Sequence, residues 1–168
     1  MGEQSSAPHS ARGLTFFAAA TAPSLEEDGI MTPAVLSSEV MDTIDFSPFA
    51  TGSSVKVLFK DEGMSLVLAW FGSGYRLPRH SHSADCLYYV VSGSLTMGAR
   101  TVNAGDGFFV RAEQPYAYTA GTEGVEVLEF RSATSFDMTI LDQTAQAWAA
   151  LADIAVNNQD RWLAAGRK

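Results

Sequence analysis

Residues 74–93 read GYRLPRHSHSADCLYYVVSG, and the reading of this stretch decides the fold. It holds two of the three histidines, His80 and His82, and the single cysteine, Cys86. On an extended segment, side chains at i and i+2 point to the same face. His80 and His82 are therefore expected on one face, and Cys86 keeps that parity if the strand runs unbroken. Two imidazoles and a thiol on one face are the donor types of a metal site. The following LYYVV, rich in β-branched and aromatic residues and followed by a Gly93-Ser94 turn, is a strong strand signal.

This spacing resembles the first motif of the cupins, G-x5-H-x-H-x3-E-x6-G, with Gly74, His80, His82 and Gly93 in place and Cys86 at the glutamate position. Residues 105–120 (GDGFFVRAEQPYAYTA) are similar to the second motif, G-x5-P-x-G-x2-H-x3-N. There Gly105 matches, Arg111 stands for the first proline, Tyr116 for the last histidine ligand and Ala120 for the asparagine. The resemblance covers roughly residues 55–131. It implies an all-β jelly-roll barrel with a divalent transition metal, such as zinc or iron, held by His80 and His82 with Cys86 assisting. A thiolate would favour softer ions over magnesium or calcium.

Each candidate has a plainer reading. Cys86 is a ligand or a small buried hydrophobe. Tyr116 is a ligand, a general base beside the substrate, or an aromatic wall residue with its hydroxyl hydrogen-bonded. Asp85 has the opposite parity and is expected to face outward. Tyr118 shares the parity of Tyr116. Trp70, Tyr88 and Phe109 are expected as further lining of a pocket for a small apolar or aromatic molecule. Arg76 and Arg79 flank the histidines near the expected mouth, where a carboxylate or phenolate would meet them.

Outward from the motifs, the pattern is of short strands and glycine-bearing turns. Ser38–Phe46 reads as a strand, then a Pro48/Gly52 loop, then a strand with Val55, Val57 and Phe59 at period two. Asp61-Glu62-Gly63 reads as a hairpin turn and Ser65–Phe71 as a strand buried on both faces. Further strands are expected at Ser94–Met97, Arg100–Val102, Gly107–Val110, Tyr116–Thr119 and Val125–Arg131, with a turn over Gly121–Gly124. Thr144–Val156 and Gln159–Ala165 change to helical spacing, with Trp148 and Trp162 expected to pack on the barrel. Ser24 with Glu27 is a capping signal for a helical turn closed by Gly29. The chain thus divides into an N-terminal arm (1–13, containing His9), strands and loops packing on the barrel (14–54), the barrel (55–141) and a helical tail (142–168).

The 168 residues suit one domain, and 46% hydrophobic with 18% charged residues suits a globular protein. A formal charge of −8 argues against nucleic acid and anionic membrane surfaces. One cysteine excludes an internal disulfide and allows a cytoplasmic location. No apolar run reaches the length of a membrane span. A homodimer is expected, with the apolar TFFAAA segment or the tryptophan-bearing tail covering open sheet edges. Two functions remain open. One is a metal-dependent enzyme of the dioxygenase, isomerase or lyase type acting on a small organic molecule. The other is a non-catalytic cupin that binds or senses a small ligand.

Overall fold

The computed structural model describes residues 13–166. Apart from Gly13, the N-terminal arm with His9 therefore lies outside the described residues. The long hairpin of β2 (Ser53–Asp61) and β3 (Met64–Phe71) turns at Glu62-Gly63, as expected. Both turn residues have positive φ (49° and 79°), which suits the right-handed twist of the flanking strands. β3 pairs with β8 (Thr119–Arg131), β8 with β5 (Cys86–Met97), and β5 with both β6 (Arg100–Asn103) and β7 (Gly107–Val110). A second sheet orders β1 (Met31–Thr32), β9 (Phe136–Ile140) and β4 (His80–His82). Isolated bridges Arg76↔Thr119 and His80↔Tyr116 tie the two together. The result is the expected jelly-roll barrel.

Alternation on the large sheet sets inside from outside. Cys86, Tyr88 and Val90 are buried while Leu87, Tyr89 and Val91 are exposed. Val125, Val127, Glu129 and Arg131 are likewise buried, with Phe130 exposed between the last two. The main core joins Ala69, Phe71, Tyr88, Val90, Leu95, Tyr118 and Val127.

Several elements differ from the sequence pattern. Ser38–Thr43 is a helix (α2), not a strand: the Ser37 hydroxyl accepts from the Val40 N–H and caps it. Ser37 is in turn anchored by Gln143. Gly93-Ser94 does not end a strand. β5 runs on through it, with register shifts against β8 on both sides of Gly93. Gly121–Gly124 is also inside a strand, where β8 crosses close to its neighbours. A Cβ on Gly93 would lie 2.1 Å from the Gly124 oxygen, and one on Gly124 would lie 2.7 Å from the Phe71 oxygen. These glycines thus serve close backbone approach, at positive φ, within paired strands.

The N-terminal capping box forms as read, with Ser24 and Glu27 bonding reciprocally over α1 (Leu25–Asp28) and Gly29 left-handed at its end. The two expected tail segments are one helix, α3 (Ala145–Ala164), capped by Thr144. Trp148 packs with Val40, Ile140 and Leu151, and Trp162 with Trp70 and Ala155. Among the described residues no helix is long and apolar enough to cross a membrane.

Candidate functional site

β4 is a three-residue strand, His80-Ser81-His82, in register with Met138–Ile140 of β9. The period-two rule holds: the two imidazoles stand on the same face, ring centroids 5.0 Å apart, and both residues are buried. Each ring is fixed by the backbone. His80 Nδ1 lies 2.8 Å from the Pro78 carbonyl oxygen, and His82 Nδ1 lies 3.1 Å from that of Asp137. A carbonyl only accepts, so Nδ1 carries the proton in each ring and the lone pair is on Nε2. Burial lowers the pKa of both. For His82 it falls to about 3, with the charges of Arg131 and His80 adding to burial. Both rings are neutral at physiological pH.

Tyr116 lies against them, its ring centroid 4.4 Å from His80 and 6.3 Å from His82. The antiparallel bridge between residues 80 and 116 sets this pairing. The Tyr116 hydroxyl forms a short hydrogen bond with that of Tyr88, which stacks on Phe108 at 4.5 Å. Tyr118 completes the aromatic side, at 6.4 Å from Tyr116 and 6.3 Å from Phe108. Burial and then the Glu129 charge push the phenols of Tyr116, Tyr88 and Tyr118 well above their ordinary pKa.

Glu129 and Arg131 were not anticipated as part of this interior. Arg131 Nη1 stands 2.7 Å from Glu129 Oε2, and Nη2–H donates to the Tyr88 hydroxyl at 3.4 Å. The guanidinium carbon also sits 4.0 Å above the Phe136 ring. A signal for the pair existed: Glu129 and Arg131 share the parity of Val125 and Val127. Apolar residues at i−2 and i−4 of Glu129, which are i−4 and i−6 of Arg131, place the pair inward.

The other expected site residues separate. Tyr88 and Tyr118 face the interior. Phe109 points to the outer face and is 53% exposed, since in Gly107–Val110 it is Phe108 that has the inward parity. Trp70 is buried, but on the outer side of β3, beneath Trp162 of α3. Arg76 and Arg79 are exposed. Asp85 accepts from the Ala112 N–H at 2.7 Å.

Cys86 is buried and inward, paired in register with Arg131 and Val110. Burial, with Glu129 adding, pushes its thiol up to about 12. The donor set therefore does not fit a resident metal ion. Among the described residues no three histidine, cysteine, aspartate or glutamate side chains are grouped to hold one. The two imidazoles have the right tautomer, yet burial and the Glu129 charge disfavour the Cys86 thiolate, and Glu129 is engaged by Arg131. The positive field of Arg131 that opposes protonation of His82 also opposes a divalent cation there.

No family model matches the sequence, and no curated protein matches it. Solved structures do. An RmlC-like cupin from Shewanella frigidimarina is 25% identical, over 49% of this chain and 78% of its own, with a TM-score of 0.44. KdgF from Halomonas is 21% identical, over 48% and 79%, at 0.44. The polyketide cyclase RemF from Streptomyces resistomycificus is 14% identical, over 60% and 84%, at 0.49. The barrel is a cupin fold. The cupin resemblance of the sequence and the strand topology carry that statement, and one fold hosts many functions.

Proposed function

We propose that this cupin is a binding module for a small, hydroxyl-bearing organic molecule, held inside the barrel by hydrogen bonds without a resident metal. The observation that carries this reading is the state of the two imidazoles. Each spends its Nδ1–H on a backbone carbonyl, and each is held neutral by burial. At physiological pH Nε2 of each is then a fixed acceptor, suited to an O–H or N–H donor. The Tyr88, Phe108 and Tyr118 rings suit a flat apolar body behind that donor.

Acid–base turnover fits these groups less well. A general acid or base works best with a pKa near the operating pH. Here burial drives the histidines down and the phenols and thiol up, away from neutrality in both directions. Groups held in one protonation state recognise a ligand; they do not exchange protons with it readily.

The test is calorimetry against a panel of phenols and enols, run in the presence of a chelator. A ligand from the panel is expected to bind under those conditions, with affinity lost in His82→Phe and reduced in Tyr116→Phe. The reading is overturned if protein purified without added metal carries about one divalent ion per chain, a stoichiometry a three-ligand site would give, and chelation abolishes binding or reveals that the ligand is normally turned over.

A further inference from the structure

The outer face of the large sheet is apolar where a solvated face is expected to be polar. In register across four strands stand Leu66, Phe130, Leu87 and Phe109. Phe130, Leu87 and Phe109 are 45%, 50% and 53% exposed, and Tyr89 and Val91 extend the row along β5. A groove of about 670 Å³ runs between this row and Phe17, Phe59 and Met64. Phe17 packs on Phe59 with ring centroids 6.3 Å apart. Just before it, Leu14 and Phe16 project into solvent, 80% and 84% exposed.

We propose that this face is the interface of a two-fold dimer of this chain, in which Leu14 and Phe16 of each protomer enter the groove of the other. The expected dimer would then use a sheet face, whereas the sequence pointed to sheet edges. Three observations name the occupant. First, no described segment of the chain covers the face, where Phe130, Leu87 and Phe109 stay 45%, 50% and 53% exposed. The twelve residues that precede Gly13, MGEQSSAPHSAR, hold Met1 as their only large apolar side chain. The tail's Trp148, Leu151 and Trp162 are already buried elsewhere. Second, the face lacks the charge that would keep two copies apart. Two chains of formal charge −8 repel, and the row of Leu66, Phe130, Leu87 and Phe109 carries no charge. Asp85 beside it in the groove and Arg111 over the Phe109 ring supply both signs for reciprocal pairing. Nucleic acid or an anionic bilayer would require basic residues that this row does not offer. Third, one molecule presents both halves of an isologous contact, an apolar groove and exposed apolar side chains at its end. This proposal is independent of what the barrel binds.

Sedimentation velocity on the full chain tests it. The wild type is expected at twice the 18.0 kDa chain mass. Leu87→Glu combined with Phe109→Glu should raise the dimer Kd by at least about 30-fold, as loss of central interface residues does, with an unchanged far-ultraviolet spectrum. Leu14→Asp with Phe16→Asp lies outside every strand, so it tests the contact without burdening the barrel; about a tenfold rise is expected. A wild type that stays at 18.0 kDa overturns the dimer, whether or not it co-floats with anionic vesicles. A dimer that both variants leave unchanged places the interface elsewhere and overturns the proposal equally. If only the Leu14/Phe16 variant has no effect, the reciprocal insertion is overturned.

Discussion

Where β5 and β8 pair between Cys86–Tyr89 and Leu128–Arg131, an ion pair is turned inward and large apolar side chains outward. Inside lie Cys86, Tyr88, Glu129 and Arg131; outside, on the very same residues' neighbours, lie Leu87, Tyr89 and Phe130. Burying an ion pair is unfavourable unless its charges are well compensated, and exposing a phenylalanine forgoes the gain of burial. A monomer selected for stability alone has little reason to arrange its strands so. As proposed, the inner face serves recognition and the outer face association, and each can be broken separately.

The largest effect is expected from splitting the buried pair. Arg131→Met leaves Glu129 charged and unpaired inside the barrel, and should cost about 3–5 kcal/mol by urea unfolding. Replacing both residues with apolar ones should be far milder. If the single variant costs no more than an exposed ion pair, roughly 0–1 kcal/mol, the pair does not sit in the low-dielectric interior described here.

Acid should come next. A histidine whose folded pKa lies below its unfolded value binds its proton more readily in the unfolded chain. Its contribution is therefore intact above about pH 6.5 and is lost as pH falls towards the folded value. For His82 that window runs from 6.5 down to about 3. Stability should fall by up to about 1.4 kcal/mol per pH unit for each such histidine. Denaturant midpoints at successive pH values measure the slope, which His82→Phe should flatten. A variant with the wild-type slope would show that His82 is not buried neutral.

Removing one hydroxyl from the inner network is a smaller change. Tyr116→Phe removes one of the two partners of the buried Tyr88 hydroxyl and leaves the bond from Arg131, at a cost of up to about 1.5 kcal/mol. No cost at all would mean that the two phenols do not bond.

Smallest in energy, but sharp in readout, is Cys86. With its thiol pushed up to about 12 and its sulfur buried, it should resist alkylation in the native state and react only on unfolding. Cys86→Ala should cost about 1 kcal/mol. Rapid native labelling that metal suppresses would restore the cysteine as a metal ligand.

Much of the fold was legible because it rests on local rules. Histidines at i and i+2 share a face in any strand, and Glu62-Gly63 between two alternating runs is a hairpin. Ser24 with Glu27 declares a helix start. The misreadings share a physical cause, which is that the same residues serve two structures. Gly93 and Gly121–Gly124 satisfy a turn, yet here they let strands approach each other closely. Ser38–Phe46 has strand-like spacing, and the decision for helix comes from Ser37, held by Gln143 more than a hundred residues away. Within the site, His80, His82, Tyr88, Tyr116 and Tyr118 were legible from parity and motif position. Glu129 and Arg131 carry the same parity signal through Val125 and Val127, but two charges in a strand ordinarily face water, and that expectation masks it. Trp70 was placed in the lining because its strand reads as apolar on both faces; the helix that covers its outer side is distant in sequence.

The measurement that bears most directly on the inner face is the nitrogen NMR titration of the His80 and His82 side chains in metal-free protein. The expected result is two neutral rings protonated at Nδ1 with the lone pair on Nε2, holding that form through neutral pH, with His82 protonating only near 3. Rings that titrate near the ordinary value of about 6.5, or that carry the proton on Nε2, would contradict the reading of this pair as fixed acceptors.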